Sequence, residues 1–160
     1  MENNIVYDSY YLVNKFTKDN KDVTNLQLQK LMYFFECYYM NLYDVQKLYD
    51  CNFCAWAFGP VAIPLYKEYK KFGNGNIELD ERQKKIGEEI SKDKKRVMDQ
   101  IYEVFGKLQP MTLVAYTHQQ GSPWRKVWEK NGKKIKYGSD SYIDKTESMK
   151  WFRDVFTKES

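Results

Sequence analysis

The sequence predicts a mainly α fold: a single compact helical domain over residues 1–160, of about six helices with two or three short β-strands. Three observations carry that prediction. Apolar residues recur at spacings of three and four through "TNLQLQKLMYFFECYYMNLY", residues 24–43, which is the period of one helix face. Pro64, Pro110 and Pro123 each stand at the head of a stretch that can continue as a helix, where a missing N–H costs nothing. Only "CNFCAWAFG", residues 51–59, is aromatic-rich without helical period, and it suits a strand or extended segment.

In chain order, a first helix is predicted from Tyr7 to about Lys18, with Tyr7, Tyr10, Tyr11, Val13 and Asn14 forming a loose inward face, and "KDNKD" ends it. Thr24 then caps the second helix, with Gln27 placed to reach back as its capping-box partner. Leu28, Leu31, Met32, Phe35, Tyr39 and Leu42 form a stripe wide enough to make this helix central to the core. After the extended segment, "GPVAIP" is read as a stop, because its two prolines suit neither a ladder nor a helix interior. "LYKEYKKFG" follows as a short helix ended by Gly73. From about Asp80 to Leu108 the pattern is helical, with Ile86, Ile90, Val97, Ile101, Tyr102 and Phe105 inward and Ser91 available to cap a second segment. A short helix from Pro110 holds Met111, Leu113, Val114 and Tyr116. Ser122 and Pro123 read as the cap and first position of another. "KNGKKIKYGSDS" is a loop or a short hairpin, and the last helix runs from roughly Asp144 to Phe156 with Met149, Phe152, Val155 and Phe156 inward.

Composition narrows the function. A chain of 160 residues can bury about 70% of its unfolded surface without a metal or disulfide staple. Aromatics make up 17% of residues and Tyr alone supplies 14, giving large apolar bodies with polar tips that need partners. The N-terminal stretch has no basic region leading an apolar run, and no window approaches the ~18 apolar residues of a membrane span. A cytoplasmic protein without a membrane partner is predicted, with Cys37, Cys51 and Cys54 as reduced thiols. The net charge of +4 is local: residues 125–136, "RKVWEKNGKKIK", carry six bases and one acid. That segment is the one candidate for phosphate contact, although no reader motif accompanies it.

Candidate chemistry centres on "THQQGSPW", which holds the sole histidine, His118. Cys51 and Cys54 form half of a zinc knuckle that Cys37 and His118 would have to complete from distant segments, so structural thiols are the simpler reading. Ser122 follows His118 by four residues, but a helix cap explains it, and there is no nucleophile elbow or phosphate-cradling glycine loop. No catalytic residue, metal or cofactor is expected. The stretch is instead a rigid corner between two helices: Trp124 enters the core and His118 donates to a nearby carbonyl. An aromatic-rich surface without a catalytic constellation suits protein binding. The candidate contact residues are Trp56, Phe58, Pro60, Tyr66 and Trp124, with Trp56 and Trp124 equally readable as core.

Three stretches taken together carry a family resemblance. Leu26, Gln29, Lys30 and Leu31 lie on the second helix. Ala55, Trp56, Gly59, Pro60 and Val61 follow. Thr117, His118, Pro123 and Trp124 complete the set. Their order and spacing resemble the Panacea-domain family of SocA-like, phage-associated antitoxin proteins, over most of the chain. The resemblance implies a small cytosolic protein that neutralises a partner toxin by direct binding, encoded beside that toxin or on a prophage. It also implies that delivery of the toxin to an ATP-dependent protease is open to such a protein, since at least one member is a proteolytic adaptor. It carries over no catalytic residue. Gln120, where the family often has an acid, and Phe58, where a more polar residue is expected, depart from the pattern at positions that bear on partner choice. Two rival readings stand beside the antitoxin: a nucleic-acid-binding regulator working through residues 125–136, and a zinc protein or enzyme using Cys51, Cys54 and His118.

Overall fold

The computed structural model describes residues 3–157. Its organising element is the second helix, α2 (Asn25–Tyr43), in which every residue from Gln27 to Cys37 is buried. Burial right round a helix means that other elements enclose it on all sides. α1 (Ile5–Lys18), the short α3 (Ile63–Tyr69), α5 (Lys92–Phe105), α6 (Pro110–Thr117) and α8 (Lys145–Phe156) all pack against it, as does one strand. α4 (Glu81–Glu88) lies on α1, and α7 (Pro123–Lys130) packs on the first strand and touches α6 and α8. Gly87 permits the α1–α4 approach, since a Cβ there would lie 2.6 Å from the Tyr11 backbone nitrogen.

The predicted class holds, but the described residues contain eight α-helices rather than about six. The difference arises where strong caps break apparently continuous patterns. The stretch read from Asp80 to Leu108 divides at Ser91, whose hydroxyl accepts the Lys94 N–H at 3.2 Å and starts α5. Thr24 caps α2 through the Gln27 N–H at 3.2 Å, and Ser122 caps α7 through the Arg125 N–H at 3.1 Å. α1 starts two residues before the predicted Tyr7, because Asn4 accepts two N–H groups.

Among the described residues two strands form, and the only further pairing is an isolated bridge between Cys54 and Tyr142. β1 (Phe53–Trp56) runs antiparallel to β2 (Gly59–Ala62) across a two-residue turn, Ala57–Phe58. "GPVAIP" is therefore not the predicted stop: its first four residues are a strand. Pro60 is tolerated because it sits opposite Ala55, one pair beyond the turn-closing pair Trp56–Gly59. In an antiparallel ladder, bonded and non-bonded pairs alternate, so no ladder N–H is needed at Pro60.

The core is unusually aromatic. Phe34 packs its ring 4.8 Å from Phe105 and 5.7 Å from Phe152, and Phe105 meets Phe156 at 4.9 Å. Polar groups inside it are paired. Glu36 accepts the Leu48 and Tyr49 N–H groups at 3.1 and 2.9 Å and the Lys145 ammonium at 2.6 Å, tying a loop and α8 to α2. Asp8 accepts the Tyr49 hydroxyl at 2.6 Å and pairs with Lys94 at 3.0 Å. Several residues predicted inward face solvent: Tyr7, Leu42, Met111 and Val155. Leu42 lies in the last turn of α2, beyond the segment that its neighbours enclose.

Candidate functional site

α2 carries Gln29 and Lys30 into the protein interior, where a period-based reading would place neither. Their partners explain it. In β2 the carbonyl of Pro60 and the N–H of Ala62 point away from β1, leaving a free sheet edge. Gln29 Oε1 accepts the Ala62 N–H at 2.9 Å, and Lys30 Nζ donates to the Pro60 carbonyl at 3.1 Å. Asn25 Oδ1 in turn accepts from Gln29 Nε2 at 3.1 Å and fixes the amide. The side chains of one helix thus satisfy the edge of the hairpin.

The second support comes from the α6–α7 corner. Thr117 ends α6, His118 caps it, and Ser122 Oγ donates to the Thr117 carbonyl at 2.7 Å. This turns the chain so that Trp124, in the first turn of α7, inserts its indole behind β1. Its Nε1 donates to the Trp56 carbonyl at 2.7 Å. Gly59 fills the remaining space with φ of +108°, and a Cβ there would lie 2.6 Å from Lys30 Cε and 2.8 Å from Thr117 Oγ1. Lys30, Gly59, Thr117 and Trp124, from three separate stretches, thus meet in one buried joint.

His118 does not act as expected. Its ring stacks flat on Trp124, centroids 3.7 Å apart and planes 5° apart, and its buried Nε2 has no hydrogen-bond partner. It is the His118 carbonyl that is held, by Arg125 Nη1 at 2.9 Å. Burial, followed by the positive charges of Lys30 and Arg125, pushes the imidazole pKa down, so the ring is neutral at physiological pH. The thiols do not gather around it. Cys37 is buried on α2 and Cys54 in β1; burial raises the pKa of all three cysteines, which makes them weak thiolates. Among the described residues no three His, Cys, Asp or Glu side chains come together as a metal site would require.

Lys30 is wholly buried with no carboxylate beside it, and desolvation pulls its pKa down to about 7. The unfolded chain keeps that proton up to the ordinary lysine range. Between about pH 7 and 10 the unfolded state therefore binds more protons, and stability rises with pH. Burial raises the pKa of Cys37, Tyr33 and Tyr49, so their contribution falls as pH passes their ordinary values, which confines the clean window to about pH 7–8.5. Urea unfolding at the two ends of that window is expected to show a gain of about 1–2 kcal/mol for the wild type and none for Lys30→Met.

In front of this joint lies a groove of 650 Å³. Trp56, Phe58 and Tyr66, three of the predicted contact residues, line it together, with Trp56 and Tyr66 edge to face at 5.1 Å. Phe58, at the hairpin tip, is 58% exposed. The other two predicted contacts are buried and do not line the groove: Pro60 lies within β2, and Trp124 supports the hairpin from behind. Leu26, Met111 and Ile135 also line the groove. Met111 and Ile135 were missed because each is a lone apolar residue, one read as inward and the other set among lysines, and only the tertiary fold makes them neighbours. The basic segment 125–136 does not form one stripe. Its first half is α7, where Arg125 pairs with Glu129 at 3.0 Å and Lys126 with Glu147 at 3.4 Å, and its second half leaves α7 as a loop.

A helical domain whose central helix and a helical corner clamp a small hairpin, with an apolar groove before it, is the architecture these residues define. The chain belongs to the family described as antitoxin SocA-like, Panacea domain, whose model matches residues 28–125. That span runs from the central helix to the first turn of α7 and contains the whole buried joint. No curated protein and no solved structure gives a match. Among the described residues no helix is long and apolar enough to cross a membrane.

Proposed function

We propose that the chain acts as an antitoxin that neutralises a partner toxin by direct protein–protein binding, without catalytic chemistry of its own, in the cytoplasm. The proposed unit is the whole chain, 1–160, as one Panacea-like domain. The observation that carries this reading is the groove formed by Trp56, Phe58 and Tyr66, backed by a hairpin that two independent supports hold in place. A contact face held rigid before binding loses little conformational entropy on docking, and exposed aromatics are the residue type that dominates interface energetics. Membership of an antitoxin family supports a toxin as the partner.

The test is co-expression with each product encoded beside the gene. Growth is expected to be restored for one of them, and failure with all would overturn the reading. Phe58→Asp is expected to abolish the rescue while shifting the melting temperature by no more than about 2 °C, because an exposed tip residue contributes little to folding. Toxin abundance in the rescued cells separates two modes: a constant level means sequestration, and disappearance means delivery to an ATP-dependent protease.

A further inference from the structure

The lining of the groove carries charge of one sign only. Of the residues that line it, Lys70 alone is ionised. In the chain, Lys67 and Lys71 lie close to it, with Glu68 between them engaged by Tyr10 and Gln83, and Lys133, Lys134 and Lys136 flank the lining residue Ile135. None of these six has an ion-pair partner among the described residues, whereas Arg125 and Lys126, a few residues upstream, both do. No Asp or Glu lines the groove. Docking an apolar surface here removes water from unpaired ammonium groups, which is unfavourable unless the occupant brings carboxylates.

We infer that the groove accepts an amphipathic segment of the partner protein, its apolar side chains seated against Phe58, Tyr66, Met111 and Ile135 and its acidic residues facing the lysine rim. This rests on the antitoxin reading and specifies the chemistry of what that antitoxin binds. The floor favours a peptide over a nucleic acid. Trp56, Phe58 and Tyr66 would by themselves also suit stacked bases; the aliphatic surface that Leu26, Val61, Met111 and Ile135 add beside them serves apolar side chains, and the oligonucleotide competition below tests that choice. The lysine rim also steers an acidic segment toward the groove before contact, an effect that salt weakens.

The test uses the full chain and a phage-displayed library of random peptides about a dozen residues long, counter-selected on the Phe58→Asp chain after circular dichroism shows that variant folded. Enriched peptides are expected to carry two or more large apolar residues flanked by Asp or Glu. Their binding should weaken about 30-fold with Phe58→Asp and fall steeply as salt rises. In the paired variant Lys134→Glu, Lys136→Glu, selection should turn toward basic flanks. Enrichment of neutral or basic peptides, no enrichment beyond the Phe58→Asp chain, or displacement of the peptides by a single-stranded oligonucleotide at equal concentration would overturn the inference. Its failure is distinguishable from failure of the antitoxin reading. Growth rescue with an unselective groove overturns only the inference, and an acid-selective groove without any rescuing neighbour overturns only the antitoxin reading.

Discussion

Replacing Trp124 with alanine is expected to lower stability by about 4 kcal/mol, the upper range for truncating a large buried aromatic. Three losses combine. The indole is 4% exposed and belongs to the core. Its Nε1 holds the Trp56 carbonyl at the hairpin. Its face is the surface on which the His118 ring lies, so that ring, already without a partner at Nε2, would border a cavity. For a chain of this length the melting temperature should fall by roughly 8–16 °C. Trp124→Phe separates the contributions: it keeps a ring for His118 and most of the volume but frees the Trp56 carbonyl, and it should cost about 1–2 kcal/mol. If Trp124→Ala melts within a few degrees of the wild type, the corner does not brace the hairpin.

Gly59→Ala is expected to cost about 3 kcal/mol or more by a different route. Two penalties meet at one atom. The backbone φ of +108° is a conformation that side chains rarely adopt. The new methyl would also press on Lys30 Cε and Thr117 Oγ1, and both of those residues are wholly buried, so neither can move into solvent. Because the penalty lies in a shared contact, it should not be additive. Gly59→Ala combined with Thr117→Ala should be more stable than the sum of the single variants predicts, as judged by urea midpoints. Strict additivity would show that the strain does not lie in the Thr117 contact, leaving the backbone and Lys30 to carry it.

Local signals in the sequence were sufficient for most elements. Caps at Thr24, Ser91 and Ser122, and prolines at the heads of helices, act through groups within three residues of themselves, so they can be read without knowing the fold. The central position of α2 was also legible, because its apolar stripe is too wide for a surface helix. The hairpin was half legible: β1 showed as a non-helical aromatic run, but β2 was hidden behind Pro60, whose tolerance depends on its register opposite Ala55. His118 illustrates the limit most directly. Its isolation in the sequence suggests a hydrogen-bonded corner residue, and the corner is real, but stacking against Trp124 is set by how α7 enters the core.

The sequence by itself determined the helical class, most element boundaries, the separation of the three motif stretches and the choice of Trp56, Phe58 and Tyr66 as contact candidates. Periodicity, capping and proline geometry are local, and local rules are written in adjacent residues. The tertiary structure alone decided that Gln29 and Lys30 turn inward to complete the β2 edge, that Pro60 and Trp124 are buried outside the groove, and that Met111 and Ile135 line it. Each of these depends on a polar group or an apolar side chain finding a partner far away in the chain, and no spacing rule encodes which distant backbone carbonyl a buried lysine will meet.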